Sequence, residues 1–237
     1  MEKLYIIIPA YNEEETIEQV AREWHEVVKN TGNDSRLVII DDGSKDHTFQ
    51  KLVSLKEKLP QLEAFTKTNA GHGATLLYGY NYALKAGADY VFQTDSDGQT
   101  LPEEFPAFWK KRKERAAVIG CRTHREDGIS RIVVTKTLKA VLWFIFGLNV
   151  ADANTPFRLM KRDLLEKYLP QVPKDFNLSN VMLTVLFLDN KESVEFLPIT
   201  FRPRQGGVNS INLTKISKIG WQAIKDFRMI KKNMRKS

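Results

Sequence analysis

Cysteine is almost absent from this sequence of 237 residues, and Cys121 is the only one. A lone cysteine excludes a disulfide within the chain and is typical of proteins that fold in a reducing compartment. The N-terminus, MEKLYIIIPAYNEEE, lacks the basic start and the small-residue cleavage site of a signal peptide. We therefore expect a cytoplasmic protein.

Long apolar runs are also missing. The longest is AVLWFIFGL, from Ala140 to Leu148, and Lys136 and Lys139 closely precede it. This run is well below the roughly 20 apolar residues that a membrane-spanning helix requires. We therefore expect no membrane span, whereas peripheral contact with the inner face of a membrane stays an open alternative.

The charge of the chain is unbalanced, with a formal net charge of +7 at pH 7. A basic protein favours anionic partners, which include nucleic acid, lipid head groups and nucleotide phosphates. The basic residues are not organised around a recognised aromatic or helix-turn-helix framework, so we do not expect a nucleic-acid partner.

The order of apolar segments predicts an α/β protein. The β-branched runs LYIII and RLVII are each followed by polar residues and then by a segment with helical spacing. The first helix carries an apolar stripe from Ile17 to Val28 and ends near Gly32. The alternation continues with helices near 46–59 and 74–86, strands near 62–66, 89–94 and 116–121, and a helix that opens at Pro102. The first half therefore predicts a doubly wound, mostly parallel sheet with helices on both faces.

The second half of the chain has a less regular pattern. The polar stretch RTHREDGISR, 122–131, has no periodicity and predicts a mobile loop or lid. We expect a helix near 132–146, a strand near 194–201 and a basic amphipathic helix from about Leu213 onward. Both helices have two interpretations, because an apolar stripe next to lysines fits either the membrane interface or packing on the core.

Three predicted strands end in polar clusters, PAYNEE, DDGSKD and TDSDGQ. An isolated D-x-D such as Asp95-Ser96-Asp97 is often a turn, because Asp, Ser and Gly favour turn geometry. Parallel strands, however, place their carboxyl ends along one edge of the sheet, where ligands bind. One nucleotide diphosphate with a hard metal ion accounts for all three clusters together.

The motifs IIIPAYNEEETI, VIIDDGSKDHT, NAGHGATLLYGYNYAL and TDSDGQTLPEE resemble those of the inverting family 2 glycosyltransferases. The closest resemblance is to the branch that contains dolichyl-phosphate mannose synthases and polyprenyl-phosphate sugar transferases. It implies a Rossmann-like GT-A fold, a UDP- or GDP-sugar donor and a Mn²⁺ or Mg²⁺ ion. We expect one domain, with a nucleotide-sugar half at 1–121 and an acceptor half at 122–237.

The resemblance also implies roles for individual residues. Asp41 is either a cap or a wall of the donor pocket. The metal ligands are expected to be Asp95, Asp97 and Gln99. The other expected donor-binding residues are Pro9, Tyr11, Glu13, Asp42, Asn69, Gly71, Gly73 and Ser96.

On the acceptor side, Arg122 matches an arginine that reaches phosphate. Asp152 and Arg158 face the acceptor or form a buried pair that holds a turn. A hydroxyl acceptor needs a carboxylate base, for which Asp152 and Asp175 are the candidates, whereas a phosphate acceptor needs none. The segment FRPRQGGVNS resembles an R-x-x-G-x-S phosphate-binding segment. Its expected phosphate-binding residues are Arg202, Arg204 and Ser210.

Three functions stay open on this sequence. The first is transfer of a sugar to a polyprenyl phosphate or another lipid-linked acceptor at the membrane. The second is transfer to a hydroxyl of a surface polysaccharide or another glycan. The third is a catalytically idle GT-A module that binds a partner or a lipid, although intact Asp95, Asp97 and Gln99 argue against it.

Overall fold

The computed structural model describes residues 2–125, 129–173 and 176–204, together with Ile224, Phe227, Arg228 and Lys231. Its strands are β1 Leu4–Ala10, β2 Arg36–Asp41, β3 Leu62–Thr66, β4 Tyr90–Gln93, β5 Ala117–Arg125, β6 Arg158–Lys161 and β7 Val194–Phe201. Its α-helices are α1 Ile17–Thr31, α2 Thr48–Leu55, α3 His72–Lys85, α4 Phe105–Lys111, α5 Ile129–Phe146, α6 Arg162–Tyr168 and α7 Ser179–Asp189. Short 3₁₀ turns lie at Pro102–Glu104 and Leu169–Gln171.

The strands form one sheet in the order β3-β2-β1-β4-β6-β5-β7. Strand β6 runs antiparallel to β4 and β5, and the other paired strands run parallel. This arrangement confirms the predicted α/β class with a mostly parallel sheet. It also places the carboxyl ends of β1, β2, β4 and β7 at one edge.

Two hydrophobic clusters cover the two faces of the sheet. Along β1, Ile7 belongs to the cluster under α3, α6 and α7, whereas Ile6 and Ile8 belong to the cluster under α1, α2 and α4. This division follows from the two-residue period of a strand, whose successive side chains point to opposite faces. Because both faces are covered by helices, a ligand can reach the sheet only along an edge.

The predicted loop at 122–131 is mostly regular structure. Strand β5 continues to Arg125 and pairs with β7, with a register shift between Arg122 and His124. Helix α5 begins at Ile129, and residues 126–128 lie outside the described residues. The polar composition of this segment predicted a loop, but backbone hydrogen bonds to β7 extend β5 through these polar residues.

The predicted final helix from Leu213 lies mostly outside the described residues. Within it, Phe227 is fully buried and contacts the rings of Phe146 and Phe176, with centroids 5.9 and 5.7 Å apart. On α5, Trp143 and Phe144 remain 64% and 79% exposed. Among the described residues, we find no helix that is both long and apolar enough to cross a membrane.

Candidate active site

A cavity of about 340 Å³ opens at the edge where the parallel strands end. Ten of the residues predicted from the sequence line it together. They are Pro9, Tyr11, Glu13, Asp42, Asn69, Gly71, Asp95, Ser96, Asp97 and Arg204. Ala10, His72 and Thr75 also line the cavity, although they were not predicted from the sequence. Their neighbours in the motifs PAYN and NAGHGAT were the available signal.

Asp42 lines the cavity but is fully engaged by the loop that precedes α3. Its carboxylate accepts hydrogen bonds from the backbone N–H groups of Ala70 and Gly71, at 2.9 and 2.8 Å, and from Lys67 Nζ. Burial raises the pKa of Asp42, but the hydrogen bonds from Lys67 and Ala70 outweigh burial and leave its pKa below the usual value. Asp42 therefore fixes the Asn69–Gly71 loop against the end of β2.

Asp95 and Asp97 follow β4 and differ from Asp42 in their surroundings. The Oδ1 atom of Asp95 is buried and has no hydrogen-bond partner among the described residues. The Nε2 atom of His72 lies 3.9 Å from it. Asp97 Oδ1 accepts a hydrogen bond of 3.2 Å from the backbone N–H of Gln99, which keeps the turn closed. An uncompensated buried carboxylate oxygen is costly unless a cation occupies the site.

The donor set at this position fits a hard divalent cation. Carboxylate oxygens are the ligands that Mg²⁺ and Mn²⁺ prefer, and Mg²⁺ is commonly held by one or two carboxylates plus the phosphates of a substrate. Within the described residues, no group of three or more His, Cys, Asp or Glu side chains is arranged to hold a metal. Asp95 and Asp97 therefore suit a cation that is shared with a bound diphosphate rather than a cage made of protein alone.

Glu13 lies in the cavity beside the start of α1 and is only 4% exposed. One of its oxygens accepts a hydrogen bond from Arg204 and the other accepts one from Thr16 Oγ1 at 3.3 Å. Burial raises the pKa of Glu13 to about 7, while the nearby Arg204 lowers it and Asp97 raises it. The cavity therefore contains an ion pair between Glu13, just before α1, and Arg204, just after β7.

Gln99 does not reach the cavity and is 3% exposed. Its Nε2 donates to the backbone oxygen of Arg202 at 2.7 Å, and its own backbone oxygen accepts from Arg202 N at 2.9 Å. Gln99 therefore has a structural role, since its amide nitrogen holds the segment that follows β7, and its role as a metal ligand stays a prediction. Arg202 is not a cavity-lining residue either.

Two further residues predicted for the donor pocket lie behind its wall. Asp41 is 1% exposed and accepts from Thr66 Oγ1 at 2.7 Å and from Ser44 N, so it is the cap rather than the pocket wall. A Cβ atom on Gly73 would lie 2.3 Å from the backbone oxygen of Phe176. The missing side chain of Gly73 therefore permits close packing of α3, and the glycine is not part of the cavity.

Arg122 and Asp152 form a salt bridge away from the cavity. Arg122 donates from Nε and from a terminal nitrogen to the two oxygens of Asp152, at 2.7 and 2.9 Å. The guanidinium also lies over the ring of Phe201, 5.0 Å from its centroid. This bidentate pair engages both the arginine that was predicted to reach phosphate and the carboxylate that was predicted as a base.

Arg158 was predicted to face the acceptor or to pair with Asp152, and the structure places it elsewhere. Its side chain is fully buried and donates to the backbone oxygens of Ala153, Thr155 and Asn180. Burial lowers the pKa of Arg158 to about 10. Arg158 therefore ties the turn before β6 to α7, and it cannot contact an acceptor.

Asp175 and Ser210, the remaining predicted site residues, lie outside the described residues. Their predicted roles as a base and as a phosphate ligand stay predictions. The structure thus brings most of the donor-side predictions together and adds Arg204 to them, whereas the other described acceptor-side residues are divided between a salt bridge, a buried turn and the segment after β7.

A comparison with protein families identifies the family of this chain. The family described as Glycosyl transferase family 2 matches residues 5–169, which include every strand end that lines the cavity except that of β7. This chain belongs to glycosyl transferase family 2. The protein is a glycosyltransferase, as the four motifs predicted.

Two curated relatives are similar over much of this glycosyltransferase. A polyprenol monophosphomannose synthase of Mycolicibacterium smegmatis is 29% identical over 224 residues, covering 91% of this chain and 83% of the relative. An undecaprenyl-phosphate 4-deoxy-4-formamido-L-arabinose transferase of Photorhabdus laumondii is 26% identical, covering 71% of this chain. The match spans about half of that relative, 52% of its length. Both names confirm the resemblance to the polyprenyl-phosphate branch.

The fold is shared with solved structures at lower identity. A glucosyl-3-phosphoglycerate synthase of Mycobacterium tuberculosis, in complex with Mn²⁺, UDP and phosphoglyceric acid, superposes with a TM-score of 0.74. The identity is 18%, and the match covers 97% of this chain and 78% of the solved one. This likeness confirms the predicted GT-A fold.

Proposed function

We propose that this glycosyltransferase moves a sugar, with inversion, from a nucleotide-diphosphate sugar to a polyprenyl phosphate or lipid-linked acceptor at the cytoplasmic face of a membrane. The observation that carries the proposal is the cavity at the strand ends, where an oxygen of Asp95, beside Asp97, has no hydrogen-bond partner among the residues that the structure describes. The names of the curated relatives, each built on a polyprenyl or undecaprenyl phosphate, support this acceptor class.

On the donor side, each group has a task that its geometry allows. Pro9, Tyr11 and Asn69 would contact the nucleoside, and Asp42 would keep the Asn69–Gly71 loop in place. Asp95 and Asp97 would hold a Mn²⁺ or Mg²⁺ ion against the diphosphate. A divalent cation bound there neutralises the charge that develops on the departing diphosphate while C1 of the sugar gains oxocarbenium character.

The choice of a phosphate acceptor over a hydroxyl acceptor is supported by Asp152. A hydroxyl nucleophile needs a carboxylate that accepts its proton, whereas a phosphate oxygen is already an anion. Asp152 is 3% exposed and engaged by Arg122 in a bidentate salt bridge, which screens it from an acceptor. A glycan hydroxyl acceptor is the alternative, and it would depend on Asp175 as the base.

The membrane contact is proposed from α5. Trp143 and Phe144 are exposed on this helix, and the exposed Lys136 and Lys139 lie one to two turns before them. Aromatic side chains favour the boundary between head groups and acyl chains, and lysines favour anionic head groups. This surface suits a peripheral protein whose acceptor is embedded in the bilayer.

Thermal unfolding in the presence of UDP, GDP, CDP and dTDP, each with and without Mn²⁺, tests the donor site. A nucleotide at 100 times its dissociation constant should add about 2.7 kcal/mol of stability. We expect a manganese-dependent rise of the melting temperature with UDP or GDP. The absence of a shift with all four nucleotides would leave the idle GT-A module as the better account.

A second experiment separates the acceptors. The sugar nucleotide that carries the stabilising base is incubated with detergent-solubilised polyprenyl phosphate or with a glycan acceptor. Transfer to the lipid phosphate supports the proposal, and transfer to the glycan alone supports the hydroxyl alternative.

A further inference from the structure

Arg204 reaches the donor cavity from the other end of the chain. It lies three residues beyond β7, whereas most of the cavity wall comes from residues 9–13 and 69–97. The backbone of this segment is fixed two residues earlier, because Arg202 exchanges hydrogen bonds with both the backbone and the side-chain amide of Gln99. The turn after β4, which contains both Asp97 and Gln99, therefore positions the segment that brings Arg204 to the cavity.

Inside the cavity, Arg204 pairs with Glu13. The two side chains form a salt bridge although 191 positions separate them in the sequence. The side chain of Glu13 is 5% exposed and that of Arg204 is 28% exposed. A carboxylate buried to this extent needs a cationic partner or a proton, and burial raises the pKa of Glu13 to about 7 even in the presence of Arg204.

The charges of the cavity make this ion pair relevant to ligand binding. Four acids line the cavity, namely Glu13, Asp42, Asp95 and Asp97. Of the lining residues within the described ranges, Arg204 alone is an arginine or a lysine. A diphosphate that enters this acidic cavity would be repelled by the carboxylates, and it would be attracted by Arg204 and by any bound cation. Glu13 and the diphosphate therefore compete for one guanidinium.

We propose that Glu13 is a positioning residue that holds Arg204 in the cavity until a donor binds, and that Arg204 then exchanges the Glu13 carboxylate for the diphosphate. The inference rests on the proposed function, since it requires a nucleotide diphosphate in this cavity. The exchange couples donor binding to the segment after β7, which continues into the part of the chain predicted to bind the acceptor.

A double-mutant cycle on nucleotide binding tests the exchange. Calorimetry with Mn²⁺ compares UDP with uridine on the full chain and on the variants Glu13→Gln, Arg204→Gln and the double variant. We expect Arg204→Gln to weaken UDP binding about tenfold and to leave uridine binding unchanged, because the lost contact is a charge-assisted hydrogen bond to phosphate. We expect Glu13→Gln to tighten UDP binding about threefold in the parent and to have no effect when Arg204 is already glutamine.

The contrary results are distinct. Equal effects of Glu13→Gln in both backgrounds, or weaker UDP binding on that substitution alone, would overturn the exchange while leaving the donor site intact. A parent protein that binds none of the nucleotides would instead overturn the proposed function, and the exchange with it. The conservative Arg204→Lys keeps a cation in place and should give an intermediate UDP affinity if the contact is electrostatic.

A matched ion pair serves as the control. Arg112 Nε and Glu2 form a salt bridge of 2.8 Å near the amino end of β1, at the opposite edge of the sheet from the cavity. Glu2→Gln and Arg112→Gln change the same charges without touching the donor site. UDP affinity should stay within about twofold of the parent in both, because charges at that distance are screened by salt. A larger change would attribute the effect of Glu13→Gln to net charge and overturn the exchange.

Discussion

Two aspartates of the same cavity, Asp42 and Asp95, have opposite surroundings. Asp42 receives two backbone N–H groups and Lys67, whereas Asp95 has a buried oxygen with no hydrogen-bond partner in the described part of the chain. Both follow buried strands, and both belong to family motifs. The comparison shows that position at the sheet edge does not by itself assign a role. The satisfied carboxylate stabilises a loop, and the unsatisfied one is suited to a cation.

The largest expected effect is on turnover, from Asp95→Asn or Asp97→Asn. Each substitution removes a charge that would hold the cation at the diphosphate, and the loss of one such electrostatic contact should lower turnover about 100-fold or more. The free energy of unfolding should change little in Asp95→Asn, because Asp95 Oδ1 has no hydrogen bond to lose among the described residues. Sugar-transfer rates and urea unfolding measure the two quantities. Asp163→Asn, an exposed change on α6, is the control, and unchanged turnover in Asp97→Asn would remove the metal site from the account.

Asp42→Asn should show the reverse pattern. The substitution weakens three hydrogen bonds that hold the Asn69–Gly71 loop, and we expect a loss of about 1–3 kcal/mol in the free energy of unfolding. Urea unfolding measures this loss. Asp34→Asn, which changes an exposed aspartate, should stay within about 0.5 kcal/mol of the parent. A variant of Asp42 as stable as the parent would show that the loop does not depend on this carboxylate.

The pH dependence of the free energy of unfolding also tests the stabilising role of Asp42. The folded-state pKa of Asp42 lies below the 3.8 expected for the unfolded chain, so the folded protein binds the proton less tightly. Its contribution is therefore complete above about pH 4 and is lost as the pH falls through the folded-state pKa. The difference in stability between the parent and Asp42→Asn should shrink in acid. A difference that grows below about pH 4 would contradict the assigned sign.

A smaller effect is expected from Lys67→Gln. The lysine side chain is 19% exposed, and Asp42 keeps its two backbone donors when the ammonium group is removed. We expect the free energy of unfolding to fall by about 1 kcal/mol relative to the parent. This difference between the two proteins should be smaller in high salt, which screens the ion pair of the parent. Urea unfolding at low and high salt measures it. A loss larger than that of Asp42→Asn would mean that Lys67 acts through another contact.

The donor side of the site was predictable from the sequence because its residues lie in short motifs that directly follow recognisable strands. Each motif follows a short buried strand, so the apolar run fixes where the strand ends and the parallel topology brings the ends together. The loop glycine Gly71 has a φ of +89°, which favours glycine whatever the rest of the fold does.

The rest of the structure depends on contacts that local patterns do not encode. Strand β6 has four residues and runs antiparallel, and α7 is buried on nearly all sides, so neither shows a clear period. Arg122 was predicted to bind phosphate, but it pairs with Asp152, 30 positions away. Glu13 and Arg204 were each predicted to be in the site, but their pairing depends on how β7 ends beside Gln99.

The binding of Mn²⁺ in the presence of UDP is the most direct test of the central claim that Asp95 and Asp97 hold a cation shared with a diphosphate. Electron paramagnetic resonance counts free Mn²⁺ in solutions of the parent, Asp95→Asn and Asp42→Asn, each with and without UDP. The account predicts UDP-dependent Mn²⁺ binding in the parent and in Asp42→Asn, and a loss of it in Asp95→Asn. Undiminished Mn²⁺ binding by Asp95→Asn would contradict the account.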